Sequence, residues 1–266
     1  MNKSIALVTG ASSGFGWVTA QRLHAAGHRV FGSSRSGRGG PAGVEMLQLD
    51  VTRQDSVARC IDSIGPLDIL VNNAGVALSG ACEETSVEEA QGLFETNLFG
   101  VMRVTSAVLP GMRARGRGRI VNVGSLSGAI SVPFHGVYAA SKHALAGYSD
   151  ALRHELRPFG IRVSLVEPAA HRTSIQMALP ASQLSVYDGP RARVIAIIQR
   201  QVARGADPAR VAEVILRAAT VAEPSARYRV GRKATLASVA LWALPRAWLE
   251  RFVRREFQLG EGFACS

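Results

Sequence analysis

Three side chains near the middle of this 266-residue chain have types and spacing suited to proton transfer. They are Ser125, Tyr138 and Lys142, within GSLSGAISVPFHGVYAASK. A helix over Val137 to Arg157 sets Tyr138 and Lys142 one turn apart on one face. A free phenol has a pKa of about 10 and is a poor acid or base at neutral pH. A neighbouring ammonium favours the phenolate and lowers that value. The tyrosine can then pass a proton to a carbonyl oxygen or take one from an alcohol. Ser125 follows an apolar strand, Arg119 to Val123, and can hydrogen-bond the same oxygen. By itself a Tyr-x-x-x-Lys pair describes many surface helices. Its meaning comes from the elements that precede it.

Ile5 to Thr9 is a short apolar run of strand character. TGASSGFG follows at Thr9 to Gly16, and Trp17 to Ala26 has helical apolar spacing. Strand, glycine turn and helix in that order form a phosphate cradle. Gly10 permits the tight turn, and Gly14 and Gly16 let the backbone approach a pyrophosphate at the positive helix end. Ser12, Ser13 and Phe15 fill the rest of the turn.

A second strand, Arg29 to Ser33, ends in Ser33-Ser34-Arg35. In dinucleotide folds an acid at this strand end binds the ribose hydroxyls of NAD, and an arginine accommodates the 2′-phosphate of NADP. No acid lies between Arg29 and Gly43. Arg35 with Ser34 therefore favours NADP(H), with NAD(H) as the alternative. Ser36 to Gly43 reads as a mobile surface loop.

Val44 to Leu49 is a third strand, ending at Asp50-Val51, where Asp50 can meet an adenine edge. Thr52 is expected to cap a helix running to Ile64. Leu67 to Val71 is a fourth strand, followed by Asn72-Asn73-Ala74-Gly75. Ser86 can cap a long amphipathic run from Val87 to Met112 with a kink near Asn97 and Gly100. Ile161 to Val166 is a sixth strand. Residues 169–207 look irregular and are expected to form a substrate lid. Asp207-Pro208 opens a helix to Ala222, and Tyr228 to Val230 is the last strand. Alternating strands and helices predict an α/β fold, a doubly wound parallel sheet of Rossmann type in one domain over 1–233. Residues 234–266 form a C-terminal helical extension.

The bulk composition narrows the function classes. Hydrophobic residues are 47% and charged residues 19%, a globular rather than a disordered balance. Cys60, Cys82 and Cys265 are an odd, scattered set that suits neither a disulfide framework nor zinc, so reduced thiols and a cytoplasmic setting are expected. No metal site is expected. The apolar start is too short for a signal peptide, and Ala234 to Leu244 is too short to span a bilayer. The net charge of +11 suits an anionic cofactor, a membrane surface or nucleic acid. The basic turn Arg113 to Arg119 lacks interleaved aromatics, which argues against nucleic acid.

Taken together, these residues resemble the classical short-chain dehydrogenase/reductase family over Ile5 to about Val230. The resemblance rests on TGxxxGxG at Thr9 to Gly16, NNAG at Asn72 to Gly75, Asn97 within its helix, and Ser125 followed by Tyr138-x-x-x-Lys142. It implies a catalytic tetrad. Tyr138 would exchange the proton, Ser125 would orient the substrate oxygen, Lys142 would hold the nicotinamide ribose, and Asn97 would anchor a water. Asn73, Ala74 and Gly75 would shape the cofactor cleft. After the sixth strand the family has Pro-Gly and then a threonine. Here the segment is Pro168-Ala169-Ala170-His171-Arg172-Thr173, in which Thr173 and the His171 backbone can still meet the carboxamide. Ala169 is expected to displace this loop, because it lacks glycine's freedom.

The segment from Arg227 to Glu256 is similar to the steroid and retinol dehydrogenase branch. It holds eight basic residues against two acids, with apolar residues interleaved. A cap over an apolar pocket is one reading, and a weak contact with a membrane surface is another. The expected reaction is hydride transfer between NADP(H) and a small apolar carbonyl or alcohol, with reduction the expected direction. A steroid, retinoid, lipid or polyketide-like ketone fits a pocket lined by Leu126, Phe134, His135 and residues 175–198. Rival readings are a redox sensor without turnover, or a peripheral membrane protein acting through its C-terminus. A monomer or homodimer is expected, the dimer forming through the helices of Asn97 and Tyr138.

Overall fold

The apolar runs at the centre of the fold become strands buried on both faces, as a parallel sheet requires, while those at its edges stay partly exposed. The computed structural model describes residues 3–172, 177–231 and 245–259. Strands β1 (Ile5–Val8), β2 (Arg29–Ser34), β3 (Glu45–Gln48), β4 (Ile69–Asn72), β6 (Gly118–Val123), β7 (Ile161–Pro168) and β9 (Arg227–Val230) form one sheet. Its order is β3-β2-β1-β4-β6-β7-β9, and every pairing is parallel. The chain leaves β1 first to one side and later to the other. The crevice therefore opens at the carboxyl ends of β1 and β4. The short strands β5 (Ala77–Leu78) and β8 (Met177–Ala178) pair outside the main sheet.

Successive residues of β1 point to opposite faces. Leu7 joins Val57 of α2 (Gln54–Ile64), Val104 and Val108 of α4 (Gly100–Ala114), and Leu152 of α5 (Gly136–Leu156). Ala6 and Val8 join Leu23 of α1 (Gly14–Ala25) and Val211 and Ile215 of α7 (Pro208–Thr220). Helices thus cover both faces of a Rossmann-type α/β fold.

Several expectations change in detail. Thr52 does not cap α2; Arg53 holds that position. The Asp50 carboxylate instead accepts from the Thr52 N–H and hydroxyl at 2.9 and 2.7 Å. The loop after β2 is pinned at its start, where the Ser34 hydroxyl donates to the Arg38 carbonyl at 2.9 Å and accepts its N–H at 3.1 Å. Residues 169–207 are not irregular throughout. They contain α6 (Asp188–Ala203), a helix of 16 residues. Val194 of α6 is buried with Phe134 and Phe257, so Phe134 is core rather than free pocket wall. A C-terminal helix, Arg246–Glu256, lies against α6 through Gln201 Nε2 to Glu256 Oε1 at 3.0 Å. The rest of the expected extension, and Thr173, fall outside the described residues. Among the described residues no helix is long and apolar enough to cross a membrane, and no group of side chains is arranged to hold a metal ion.

Candidate active site

The glycine turn is built around Thr9 and Asn73. The Thr9 hydroxyl accepts the backbone N–H groups of Asn73 and Ala74 at 2.9 and 3.0 Å. The Asn73 side chain donates to the carbonyls of Thr9 and Gly10 at 2.9 and 3.1 Å. These bonds fasten the turn after β1 to the segment after β4. Gly10 and Gly14 adopt φ of +67° and +56°, in the left-handed region that side chains disfavour. A Cβ on Gly16 would sit 2.2 Å from the Gly10 carbonyl oxygen. Ser13 precedes α1 without its side chain capping it, and no acid lies in the first helical turn. The first N–H groups of α1 thus face outward beside Ser12, Ser13 and Phe15, in a cradle narrow enough for backbone only. That geometry fits a pyrophosphate.

Arg35 and Asp50 come together on a groove of about 410 Å³, which Arg53 and Arg59 also line. Hydrogen bonds from Thr52 hold the Asp50 carboxyl below the usual range, and the charges of Arg35 and Arg53 add to this. Val51 is buried and packs where a Cβ on Gly100 would fall. Arg53 and Arg59 lie on another element, and no sequence pattern ties them to Arg35.

The four candidate acid-base residues converge beyond the sheet. Asn97 is fully buried inside a π-helical turn, Glu95–Phe99, between α3 (Val87–Phe94) and α4. Single π turns recur at functional sites. Its side chain accepts the Val76 N–H at 2.9 Å and donates to the Val76 carbonyl at 3.0 Å and to Ser141 Oγ at 3.1 Å. The expected break in the long helical run is this π turn. Gly75 lies between Asn97 and Lys142: a Cβ there would stand 3.2 Å from Asn97 Oδ1 and 3.6 Å from Lys142 Nζ. Lys142 is buried, and its Nζ donates to the Val123 carbonyl at 3.2 Å. Burial pulls its pKa down to about 8. Ser125 Oγ accepts the Ser127 N–H at 3.1 Å, and its hydroxyl also bonds the Tyr138 side chain.

Tyr138 lies one turn before Lys142 on α5, with Nζ 5.9 Å from its ring centre. The expected lowering of its pKa is not found in this structure. Burial raises it, and the hydrogen bond with Ser125 only partly opposes that. The ammonium is turned to the Val123 carbonyl rather than to the phenol oxygen.

At the end of β7, Pro168 pairs with Val230, and the Ala169 N–H donates to the Val230 carbonyl at 3.0 Å. Ala169 is not among the residues of positive φ. Its backbone continues from the strand without a left-handed turn. His171 is buried, with its ring edge-on to Phe15 at 5.8 Å and Nδ1 2.9 Å from the Ala169 carbonyl. Its side chain packs beneath the cradle rather than in the acid-base group. Two features escaped sequence reasoning. Phe134 has φ of +58°, and Ser79 Oγ lies 2.7 Å from His135 Nε2. Neither belongs to a pattern with a sequence signal.

The sheet order and the cradle define a doubly wound dinucleotide-binding protein. A family profile described as short chain dehydrogenase matches residues 4–184. The chain is 38% identical to a 3-ketodihydrosphingosine reductase of Bacteroides thetaiotaomicron, over 94% of each chain. It is 45% identical to human retinol dehydrogenase 8 over 54% of this chain and 47% of that one. A solved short-chain dehydrogenase from Streptomyces avermitilis superposes with a TM-score of 0.81 at 34% identity, covering 97% of this chain and 99% of the other. The protein belongs to the short-chain dehydrogenase family of oxidoreductases, which use nicotinamide cofactors.

Proposed function

We propose that this protein transfers a hydride between NADP(H) and a carbonyl or secondary alcohol of an apolar substrate, in the direction of reduction. The carrying observation is the convergence of Ser125, Tyr138, Lys142 and Asn97 beside the glycine cradle. NADPH supplies the hydride when bound. The cradle at Gly10 to Gly16 would hold its pyrophosphate, and the arginine groove at Arg35 its 2′-phosphate. Asp50 and Val51 would border the adenine, with Ala74, Gly75 and Pro168 along the cleft. His171 contributes there through its backbone. Ser125 would turn its hydroxyl to the substrate oxygen, donate to it and orient it. Tyr138 gives that oxygen its proton as negative charge develops. Lys142 is charged at pH 7 and keeps two donors beyond Val123, suited to ribose hydroxyls. Asn97 holds the floor between Val76 and Ser141.

A lipid ketone is the favoured substrate class. The support for it is the relative from Bacteroides, whose name, 3-ketodihydrosphingosine reductase, is that of a keto-lipid reductase.

The test is fluorescence titration with NADPH and NADH, then ketone reduction by wild type and Tyr138→Phe. NADPH should bind at least about tenfold more tightly, and Arg35→Ala should erase the difference, since losing one charged contact costs roughly tenfold. Tyr138→Phe should lower turnover by about a hundredfold or more with binding intact. Failure of both dinucleotides to bind would overturn the reading. Binding without turnover across a broad ketone panel would favour a redox sensor.

A second reading concerns location. Trp248 and Phe252, 63% and 65% exposed, lie one turn apart on the C-terminal helix beside exposed Arg251 and Arg255. Such a face suits the surface of an anionic membrane.

A further inference from the structure

We propose that Ser79 and His135 form a positioning pair that fixes the ring of Tyr138, and that strand β8 sets Ser79 in turn. The inference rests on the reading of Tyr138 as the proton donor.

Ser79 is fully buried, and its hydroxyl lies 2.7 Å from His135 Nε2. His135 is itself buried. Burial pushes its pKa down to about 4, so the ring is neutral and the bond is one between neutral partners. The imidazole meets the Tyr138 ring edge-on, with centroids 5.5 Å apart and planes at 88°. This is a favoured geometry for aromatic pairs. His135 occupies the residue before α5 and stands three positions ahead of Tyr138, on the same face. A ring held by its far nitrogen therefore braces the tyrosine from the side.

The backbone has been bent to place it. Phe134 adopts φ of +58°, unfavourable for an aromatic residue and retained only where surroundings enforce it. The surroundings are visible. The Phe134 carbonyl accepts the Gly80 N–H at 2.9 Å, and its side chain is buried beside Ala81 and Val194. The turn directs Phe134 into the core and leaves the next residue, His135, facing Ser79.

Ser79 also faces the other way. Its N–H donates to the Ala178 carbonyl at 2.8 Å, extending the β5–β8 pairing of Ala77 with Met177 and Leu78 with Ala178. One residue thus ties the segment after β7 to the histidine that braces Tyr138. Proton transfer demands that the phenol oxygen stay within a few tenths of an ångström of its place. A ring free to rock about its χ angles would meet that demand less often.

The test reads Tyr138 directly and needs no substrate. The chain has four tyrosines, so fluorine NMR of 3-fluorotyrosine-labelled protein gives few resonances, and Tyr138→Phe assigns the one of interest. Ser79→Ala, which does not touch Tyr138, should shift or broaden that resonance. In a His135→Phe background, which keeps a ring edge but loses the bond, Ser79→Ala should add nothing. With a ketone that is turned over, Ser79→Ala and His135→Phe should each lower kcat about tenfold, with the double variant no worse and the NADPH dissociation constant unchanged. An unmoved Tyr138 resonance in Ser79→Ala, or additive effects in the double variant, would overturn the proposal. Turnover surviving Tyr138→Phe would defeat the reading of Tyr138 itself, while the resonance would still decide whether the pair positions its ring.

Discussion

Lys142 is an ammonium kept where solvent cannot reach it, with its pKa drawn from 10.5 to about 8 by burial. At about 1.4 kcal/mol per pH unit, the charged form is disfavoured by roughly 3 kcal/mol. The sign follows from linkage. Below pH 8 the lysine is protonated folded or unfolded, and the native state bears the full cost. Between 8 and 10.5 the unfolded chain binds more protons than the native one, so stability rises with pH and the cost fades. Lys142→Met should therefore melt at a higher temperature than wild type at pH 7, in the absence of dinucleotide. The gap should close as pH rises through 10.5, while turnover is lost. Equal melting of the two proteins at pH 7 would show that the Val123 bond already offsets the burial. Gly16 makes a complementary case. A methyl group 2.2 Å from the Gly10 carbonyl cannot be accommodated without moving the turn. Gly16→Ala should weaken NADPH binding by at least about tenfold in the fluorescence titration, as cradle geometry rather than charge is disturbed.

The elements around these residues differ in how far the sequence announced them. Central strands buried on both faces show as apolar runs, and Ser86 caps α3 as expected, with Glu89 completing a reciprocal pair at 2.9 and 3.1 Å. The π turn at Asn97 was legible as a misplaced polar residue, because an asparagine mid-helix needs a partner and finds Val76. Helix α6 was not. Its Gly189 and Pro190 read as a loop, yet Pro190 lies within the first turn, where its missing N–H costs nothing. What holds α6 is a buried ion pair invisible in one dimension. Arg191 bonds Glu84, 107 residues away, and Asp188 beside it. Glu84 also accepts the N–H groups of Ala81 and Leu184 at 2.8 and 2.9 Å. Ser79 and His135 were hidden for the same reason, being 56 residues apart. Arg191→Met would leave a buried carboxylate without its counter-charge, costing about 3 kcal/mol or more. The melting temperature should fall by roughly 6 °C or more, and Glu84→Gln added to it should restore part of the loss. A double variant less stable than Arg191→Met alone would refute the ion-pair account.

At the scale of the whole molecule, charge and exposed apolar surface meet on the C-terminal helix. The chain carries +11, and Arg251 and Arg255 stand beside the exposed rings of Trp248 and Phe252. The opposite side of this helix is spent on packing: Val253 and Phe257 join Phe134 and Val194 in a buried cluster. Fully burying the ring of Trp248 or Phe252 is worth about 1.5–3 kcal/mol, and a tenfold change in partition takes about 1.4. Replacing both rings with alanine should therefore reduce binding to vesicles containing phosphatidylserine by at least about tenfold in a sedimentation assay. Because the arginines add a screened attraction, raising salt from 0.05 to about 0.5 M should weaken wild-type binding as well. Neutral phosphatidylcholine vesicles should bind less at any salt. If the double variant binds as wild type does, the rings are not the contact and the charge alone carries it. If wild type binds neither vesicle, the helix serves only as a cap, and the same variant should leave reduction of a water-soluble ketone unchanged.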